Sequence, residues 1–459
     1  MATLVSTNPA KGFQEIGQVN VSTEAEIIQA VVNAKQAQQA WQELEVQGRI
    51  PFFVKFCEIM DARKAELAQM ISDEMGKKLS DAQDEVAEVI ESVKWLIDNA
   101  PEILKPVKVH EDDEGMVTQH REPFGVVAGI SAWNYPAGNF RECAMQDLIA
   151  GNTVVLKHSE ETPLTGVILD EIMKEAGFPT GVYSQVYGAG DVGDILTNQD
   201  IDFISFIGSS KVGKGLYKKA AEKFINVRLE MGGSSAGIIF DNLNIDDIVE
   251  SVVAERFSNS GQICSALKRL LIHDSVYDQY IAKLKIKISE LKVCEPSDND
   301  CEISSLVAER QVEPILGQIS KSVQLGAKLV CGGERPHEHD GAYIEPTLLT
   351  NVTIDMPVWN EEVFGPVLPV MKFSDEGEAI QIANDTPYGL NGFVYSNDQE
   401  QVARVAKQLE CGAIETNGYS HGYRPSVAVG GYKDSGIGRT GGTAGLHTCT
   451  QVKVVTTKK

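Results

Sequence analysis

Two residues near the middle of the chain have side chains that suit covalent catalysis on a carbonyl group. Glu230 precedes two glycines, and Cys264 ends the segment Gly-Gln-Ile-Cys at positions 261–264. A thiolate can attack a carbonyl carbon, and a carboxylate can then activate water against the thioester that forms. Taken singly, a cysteine is usually a small buried hydrophobe and a glutamate a solvated charge. The two residues are 34 positions apart, so only the tertiary fold can bring them together.

Length and composition indicate a globular protein of more than one domain. A chain of 459 residues with 42% hydrophobic and 23% charged residues predicts two or three domains. No apolar run approaches the roughly 18 residues of a membrane span, and the N-terminus lacks the pattern of a signal peptide. We therefore expect a cytoplasmic protein. The net charge of −24 argues against nucleic acid or an anionic membrane as partner.

The eight cysteines are scattered without Cys-x-x-Cys spacing. This argues against a zinc site and against a disulfide framework, so no metal is expected. Reduced thiols in a reducing compartment fit best, and Cys264 must stay reduced to act as a nucleophile.

The N-terminal quarter has the periodicity of helices. Thr23 and Glu26 form a capping-box pattern ahead of apolar residues at helical spacing. Two further helices are predicted over residues 51–75 and 81–100, with Pro101 closing the region. Alternating residues at 107–110 and 116–120 then predict a β-hairpin, and residues 451–455 predict another exposed strand.

From residue 125 onward, short apolar strands alternate with helices. Strands are predicted over 125–130, 153–156, 184–187 and 201–207, with helices over 137–150, 163–177 and 211–225. Such alternation predicts an α/β fold with parallel sheets covered by helices.

Three sequence blocks together resemble the aldehyde dehydrogenase superfamily. They are Glu-Met-Gly-Gly at 230–233, Gly-Gln-Ile-Cys at 261–264 and Trp-Asn-Tyr-Pro at 133–136, and the resemblance runs from near residue 7 to the C-terminus. It implies two parallel-sheet α/β domains and a β-hairpin oligomerisation domain in a homodimer or homotetramer. The implied boundaries are residues 1–104 and 124–232 for NAD binding, 233–441 for catalysis, and 105–123 with 442–459 for oligomerisation.

The resemblance also implies catalytic roles. Cys264 would be the nucleophile, Asn134 would stabilise the oxyanion with the backbone N–H of Cys264, and Glu230 would activate water. Relatives that pass the acyl group to coenzyme A generally lack an acid at the Glu230 position, so hydrolysis to the free acid is expected.

For the cofactor, the strand over 201–207 runs into a glycine-rich turn and a helix N-terminus, which can bind a pyrophosphate. The alternative is an ordinary strand–helix turn capped by a serine. The resemblance assigns this turn to the nicotinamide dinucleotide. It assigns Glu160, which follows the predicted strand over 153–156, to the adenine ribose. The implied cofactor residues are Ile130, Trp133, Lys157, Glu160, Gly208, Ser209, Gly213, Glu362 and Phe364.

Glu160 favours NAD over NADP, because a 2′-phosphate would place about two negative charges beside it. A protonated His158 acting with Lys157 is the feature that could still accommodate NADP.

The substrate is less constrained. Some blocks are similar to the shorter succinate-semialdehyde dehydrogenase subgroup, in which a carboxylated substrate needs a cation such as arginine. Arg141 is the natural candidate but lies seven residues past Asn134, where relatives place theirs at eight; position eight is Glu142. Glu142 would suit a cationic or hydroxylated aldehyde, whereas His421 and Arg424 could form a positive rim.

Two other hypotheses remain at this stage. One is an aminoaldehyde or broad-specificity aldehyde dehydrogenase. The other is a catalytically silent dinucleotide-binding structural protein. The usual Pro-Phe-Gly-Gly near the C-terminus is replaced by Ala-Val-Gly-Gly at 428–431, which adds to the uncertainty about the substrate.

Overall fold

A computed structural model describes residues 2–419 and 424–459. The helices are α1 Glu24–Glu43, α2 Glu45–Ala62, α3 Lys64–Met75, α4 Leu79–Ile103, α5 Pro136–Ile149, α6 Pro163–Glu175, α7 Gly190–Asn198, α8 Ser210–Lys223, α9 Val249–Phe257, α10 Tyr277–Glu290, α11 Glu309–Gln324, α12 Pro357–Asn360, α13 Glu376–Asn384, α14 Gln399–Gln408 and α15 Gly442–Thr448. The strands are β1 Thr3–Asn8, β2 Gln14–Asn20, β3 Val107–Glu111, β4 Gly115–Pro123, β5 Val126–Ile130, β6 Thr153–Lys157, β7 Tyr183–Val186, β8 Phe203–Ile207, β9 Asn226–Glu230, β10 Ser235–Ile239, β11 Leu267–His273, β12 Lys328–Cys331, β13 Thr347–Thr350, β14 Val367–Phe373, β15 Asn391–Tyr395, β16 Ala413–Thr416, β17 Gly436–Ile437 and β18 Thr450–Lys458.

The predicted N-terminal helices are present with changed boundaries. Thr23 caps α1, and both hydrogen bonds of the predicted capping box with Glu26 are made. The stretch predicted as one helix over 51–75 belongs to two helices, which meet at Arg63. Pro101 does not close α4, which continues to Ile103. Proline lacks the N–H that would bond to the carbonyl four residues earlier, and α4 ends two residues further on.

The first large sheet has six strands in the order β17-β9-β8-β5-β6-β7. Strands β5 to β9 run parallel, so their carboxyl ends lie along one edge of the sheet. Helices pack on both faces and bury two apolar clusters. The four predicted strands are confirmed, whereas α7 was missed because glycines interrupt its short apolar pattern. In open α/β sheets this edge is where ligands bind.

The second large sheet has seven strands in the order β12-β13-β14-β11-β10-β15-β16. All its neighbours are parallel except the pair β12 and β13. Two further apolar clusters cover its faces. The predicted α/β class with two largely parallel sheets is therefore confirmed.

A smaller antiparallel sheet joins distant parts of the chain in the order β18-β4-β3. The predicted hairpin is β3 with β4, and β18 pairs with β4 along its whole length. Both edge strands expose valines, with Val107, Val109 and Val454 at 53%, 53% and 61% of full exposure. Within the described ranges, no helix combines the length and the apolar character that are needed to cross a membrane.

Candidate active site

The candidate nucleophile lies on a loop, residues 258–266, that joins α9 to β11. Asn259 and Ser260 hold positive φ angles of 51° and 53°. Left-handed backbone is uncommon for residues other than glycine and persists where surrounding contacts enforce it. Gly261 also has positive φ, and a Cβ there would lie 2.3 Å from the carbonyl oxygen of Gly365. This cysteine loop is therefore held tightly against the segment that precedes β14.

Side-chain amides tie the cysteine loop to the turn after β5. The Nδ2 of Asn134 donates to the backbone carbonyl of Gln262 at 3.1 Å. Asn139 donates to Oδ1 of Asn134 at 3.0 Å, and Asn259 donates to the backbone carbonyl of Asn134 at 3.2 Å. Because the Asn134 oxygen accepts from Asn139, its NH₂ group faces the cysteine loop, two residues before Cys264.

The Cys264 thiol is half-buried beside a lysine. The Nζ of Lys268 donates to the carbonyl oxygens of Gly233 and Cys264 at 2.8 and 3.0 Å. Burial raises the pKa of the thiol to about 11; the Lys268 ammonium opposes this rise, whereas Glu362 and Glu230 add to it. The thiol is therefore mostly protonated at neutral pH, and attack on a carbonyl requires loss of that proton.

Glu230 ends β9, and its backbone carbonyl accepts a hydrogen bond from the N–H of Gly208 at 3.0 Å. Its side chain is buried, and neither carboxylate oxygen has a hydrogen-bond partner among the described residues. Burial raises the pKa of Glu230 well above its ordinary value; Glu142 adds to the rise, and Arg228 and Arg439 oppose it. A carboxyl group with a raised pKa and free lone pairs suits a general base near neutral pH.

Glu362 lies between the cysteine loop and the start of β10. It forms an ion pair with Lys268 and accepts a hydrogen bond from the N–H of Gly233 at 3.1 Å. The ring of Phe364 lies 5.0 Å from Lys268 Nζ and makes an edge contact with Trp133 at 5.5 Å. Phe364, from the side of the second sheet, therefore contacts Trp133, which follows β5 of the first sheet.

Lys157 ends β6, Glu160 follows it, and the two form an ion pair at 2.8 Å. Arg310 approaches the same carboxylate at 3.9 Å. Burial by itself would raise the pKa of Glu160, but Lys157 overrides it and the pKa is lowered. A Cβ on Gly193 would lie 3.5 Å from Lys157 and 3.8 Å from Ile130, so this corner is shaped by three strand and helix ends.

The glycine-rich turn lies where β8 meets α8. Ser209 is the N-cap of α8, and its Oγ accepts from the N–H of Val212 at 3.4 Å. A Cβ on Gly213 would lie 2.1 Å from the sulfur of Met231, and a Cβ on Gly208 would strike the ring of Phe206. Packing thus explains both glycines, and the helix N-terminus still points toward the edge where the other candidate residues lie.

Comparison with known proteins identifies the family. Residues 2–455 match the family model described as "Aldehyde dehydrogenase family". The chain belongs to the aldehyde dehydrogenase family.

Individual relatives cover nearly the whole chain. It is similar to succinate-semialdehyde dehydrogenase [NADP(+)] of Escherichia coli, with 34% identity over 97% of this chain and 92% of the relative. It is also similar to betaine aldehyde dehydrogenase of Bacillus subtilis, with 36% identity over 96% of this chain and 91% of the relative. The structure of betaine aldehyde dehydrogenase from Staphylococcus aureus in complex with NAD⁺ matches with a TM-score of 0.95 at 31% identity, covering 99% of this chain and 92% of that chain. The predictions of the family, the fold and an NAD(P)-dependent aldehyde dehydrogenase activity are thereby confirmed.

One expectation about the cofactor side of this aldehyde dehydrogenase is wrong. His158 was considered as a cation that could help to hold a 2′-phosphate. Burial and the neighbouring Lys157 lower the pKa of His158 to about 3, so the imidazole is neutral at physiological pH. Its Nδ1 lies 3.3 Å from Ser131 Oγ, and its ring packs against Gly166. Sequence could not show this, because the larger cause is burial, which depends on the tertiary fold.

The residues predicted on the substrate side are arranged differently from the expected alternatives. Arg141 and Glu142 are both buried and paired with each other, so neither presents its charge alone. Arg141 also donates to Ser92 Oγ at 2.7 Å and lines a small cavity that includes Pro425. Arg424 is exposed and donates to the hydroxyl of Tyr419. His421 lies outside the described residues.

Several residues that shape the site were not predicted. Lys268 holds both the cysteine loop and Glu362, and Asn139 and Gln262 orient Asn134. The usable signal was a lysine inside the strongly apolar strand β11, where a charge demands a buried partner.

Proposed function

We propose that the chain oxidises an aldehyde to the free carboxylic acid, with Cys264 as nucleophile. The Cys264 thiolate adds to the aldehyde carbon, and the Asn134 amide stabilises the oxyanion that forms. When bound, the nicotinamide dinucleotide accepts the hydride that leaves this carbon. Glu230 then takes a proton from water, which attacks the thioester and releases the acid and the thiol.

One observation carries this proposal. Three groups from three separate elements support it: the half-buried thiol of Cys264, the amide of Asn134 bonded to the cysteine loop, and the carboxyl of Glu230, which has no hydrogen-bond partner in the described part of the chain. Glu230 is close enough to the thiol that its charge raises the pKa of Cys264. Each of the three supplies one function that acyl chemistry needs.

The direct test removes the sulfur. Cys264→Ala should abolish NADH formation with every aldehyde while leaving the fold intact. Cys331→Ala is the matched control, because Cys331 is another half-buried free thiol on a distant strand. NADH formation by Cys264→Ala at the wild-type rate would overturn the proposal.

Hydrolysis is proposed over acyl transfer to coenzyme A, since Glu230 can activate water at the thioester. The product formed with and without coenzyme A, identified by mass spectrometry, tests this. Free acid is expected in both cases, and an acyl-coenzyme A product would contradict it.

We propose that residues of the first sheet's edge hold the dinucleotide. The fit rests on three features: the N-terminus of α8 capped by Ser209, the Lys157–Glu160 pair after β6, and the close packing at Gly208 that keeps the turn bare of side chains. Trp133, Gly213, Ile130, Glu362 and Phe364 complete the proposed set.

NAD is proposed over NADP, because the Glu160 carboxylate would repel a 2′-phosphate and His158 is neutral. The ratio of kcat/KM for NAD and NADP tests the choice. Glu160→Gln should lower this ratio by about tenfold or more, since about 1.4 kcal/mol of repulsion corresponds to a factor of ten. A wild-type preference for NADP would overturn it.

For the substrate, we propose a small aldehyde with a second carboxylate, of the succinate-semialdehyde type. Similarity to the succinate-semialdehyde dehydrogenases of Escherichia coli and Rattus norvegicus supports it. Arg141 is the proposed anchor, with Arg424 at the rim.

A second candidate is a cationic aldehyde, because Glu142 lies near Glu230 and neutralises Arg141. The similarity to betaine aldehyde dehydrogenase also supports it. Ranking kcat/KM for succinate semialdehyde, betaine aldehyde and butanal separates the two. Arg141→Met should weaken only the carboxylated substrate, and Glu142→Gln only the cationic one.

We further propose three units: dinucleotide binding by residues 1–104 and 124–232, catalysis by 233–441, and oligomerisation by 105–123 with 442–459. The exposed valines on β3 and β18 support a homodimer or homotetramer. Phe224, at 98% of full exposure, is a second apolar feature that a partner copy would cover. Light scattering should give a dimer or tetramer, and Val452→Lys with Val454→Lys should shift it toward the monomer.

The cytoplasm is the proposed location. All eight cysteines are free thiols, and Cys264 must remain one to react. Cytosolic reductants maintain that state. Fractionation of cells with an antibody against the chain tests this proposal.

A further inference from the structure

A buried lysine and glutamate lie behind the turn that carries Asn134. Lys77, in the connection between α3 and α4, has no exposed surface, and the side chain of Glu85 on α4 is 1% exposed. Their charged atoms are 2.6 Å apart. A buried ion pair costs desolvation energy and seldom adds net stability compared with apolar residues of similar volume. Its presence therefore calls for a role other than holding the core together.

The pair contacts the start of α5 and the residue before it. Oε1 of Glu85 accepts from the N–H groups of Ala137 and Gly138 at 2.8 and 3.0 Å. These are donors of the first turn of α5, which has no side-chain cap of its own. The Lys77 ammonium lies 3.5 Å from the ring centroid of Tyr135. Glu85 and Lys77 thus fix the helix end and the residue next to Asn134.

The orientation of Asn134 depends on that helix end. The N–H of Asn139, in the first turns of α5, donates to the carbonyl of Tyr135 at 2.7 Å. The Asn139 side chain in turn holds the carbonyl of Ala132 and Oδ1 of Asn134. A shift of the α5 N-terminus therefore moves the one side chain that sets which way the Asn134 amide faces.

We propose that Lys77 and Glu85 form a positioning clamp for the oxyanion donor Asn134. Both side chains are buried and contact the start of α5, through which they act on Asn134, so they are positioning residues. The inference rests on the proposed role of Asn134. Its consequence is that loss of the clamp slows the steps in which the oxyanion forms and collapses, rather than binding of the dinucleotide.

The chain offers a matched control. Glu74, at the end of α3, is also a buried carboxylate at a helix start, accepting from the N–H groups of Leu164 and Thr165 in α6. Helix α6 carries none of the three proposed catalytic residues. Glu74→Gln and Glu85→Gln both replace a carboxyl that caps a helix start, and of the two only Glu85 is connected to Asn134. Glu85→Gln also leaves the Lys77 ammonium unpaired, so Glu74→Gln controls for loss of the cap and the double variant controls for the unpaired charge.

The experiment compares Glu85→Gln, Lys77→Met, the double variant and Glu74→Gln, each alone and with Asn134→Ala. At saturating aldehyde and dinucleotide, Glu85→Gln should lower kcat by about 10-fold to 100-fold, the loss that a displacement of about 1 Å causes. The deuterium isotope effect with aldehyde deuterated at C1 should rise, and KM for the dinucleotide should stay within about twofold. Glu74→Gln should leave kcat and the isotope effect within about twofold of wild type.

The Asn134→Ala background distinguishes an effect on the position of Asn134 from a general disturbance of the fold. Once Asn134 is alanine, Glu85→Gln should cause no further loss of kcat, since both changes act through one amide. Losses that multiply, or a Glu85→Gln variant with wild-type kcat, would overturn the clamp. If Glu85→Gln does not fold, the double variant, which buries no unpaired charge, takes its place under the same criteria.

A readout independent of turnover keeps the clamp separate from the proposed reaction. Crystal structures of wild type and Glu85→Gln give the distance from Asn134 Nδ2 to the Gln262 carbonyl, 3.1 Å here. It should lengthen beyond about 3.5 Å, the limit of a hydrogen bond. An unchanged distance would overturn the clamp, whereas absence of activity in wild type would overturn only the proposed function.

Discussion

The amide of Asn134 and the carbonyl of Gln262 join the two large sheets of the molecule at 3.1 Å. Asn134 belongs to the turn after β5 of the first sheet, and Gln262 belongs to the cysteine loop that leads into β11 of the second. The contact brings an NH₂ donor to the backbone beside Cys264. An oxyanion that forms on a carbon attached to that sulfur would therefore arise next to a preorganised donor.

Replacing Asn134 by alanine should affect the chemical step selectively. We expect kcat to fall by about 100-fold to 1,000-fold, the usual cost of one oxyanion donor. Alkylation of Cys264 by iodoacetamide should change by less than about fivefold, because that reaction develops no oxyanion. Stopped-flow NADH formation and mass-spectrometric labelling measure the two rates. Equal losses in both would mean that the substitution disturbs the loop itself.

Replacing Glu230 by glutamine should separate the two halves of the reaction. We expect a rapid burst of about one NADH per active site, followed by turnover slowed by about 100-fold or more, because water is no longer deprotonated. Hydroxylamine needs no base to attack a thioester and should restore turnover. Pre-steady-state absorbance records the burst, and a variant without a burst would place Glu230 before hydride transfer.

The pH profile of that burst-and-turnover assay follows from the burial of Glu230. Burial raises its pKa well above the ordinary value, so the carboxyl loses its proton at a higher pH than an ordinary glutamate does. Wild-type hydrolysis of the thioester should therefore quicken with increasing pH, whereas the slow hydrolysis in Glu230→Gln should lack this dependence. The same slope in both proteins would contradict the assignment.

Neutral, buried His158 should make the fold sensitive to acid. An unfolded chain protonates this imidazole below about pH 6.5, whereas the folded chain does so only near pH 3. The folded state binds fewer protons in that window, so stability falls as pH drops, by about 1.4 kcal/mol per pH unit. Between pH 6.5 and 5, the free energy of unfolding of His158→Asn should fall by about 2 kcal/mol less than that of wild type.

Urea unfolding at fixed protein concentration measures that difference. His110→Asn is the matched control, because His110 lies on the exposed strand β3. It should reproduce the wild-type dependence on pH. The same loss in His158→Asn as in wild type would show that this imidazole takes up its proton in the folded state.

Features that depend on neighbours in the chain could be predicted from sequence. The Thr23–Glu26 capping box, the strands that become β5, β6 and β8, and the hairpin of β3 and β4 all follow from short-range periodicity and turn residues. The family motifs pointed to Cys264, Asn134 and Glu230 as the candidate catalytic residues. In both cases the information lies within a few adjacent positions.

Features that depend on long-range contacts could not be predicted in this way. Lys268 meets Glu362 across 94 positions, and Glu85 meets Ala137 across 52. The pairing of Arg141 with Glu142 also became visible only in the packed helix, since the spacing from Asn134 left either residue as a candidate for contact with the substrate. A charged residue in an apolar segment indicates that it has a buried partner, but the sequence does not show which residue that partner is. Glu85, on a helix face with Ala82, Val86 and Val89, carried such a signal that sequence reasoning passed over.

The buried Lys268 should control the reactivity of Cys264. The pKa of the thiol is about 11, so the rate of its alkylation should rise about tenfold per pH unit from pH 8 to 10. The Lys268 ammonium favours the thiolate, and burial lowers the pKa of Lys268 itself. Lys268→Met should therefore slow alkylation most at the low end of that range, where the ammonium is most fully protonated. The same substitution leaves Glu362 without Lys268 as its ion-pair partner. The uncompensated carboxylate charge also raises the pKa of Cys264.

Adding Glu362→Gln to Lys268→Met removes that charge and should recover part of the lost rate. Lys174→Met is the control, because Lys174 is a well-exposed lysine paired with Asp170 on α6. It should leave the rate profile unchanged. Faster alkylation in Lys268→Met would mean that hydrogen bonding of Lys268 to the loop carbonyls restrains the sulfur more than its charge activates it, because the two effects have opposite signs.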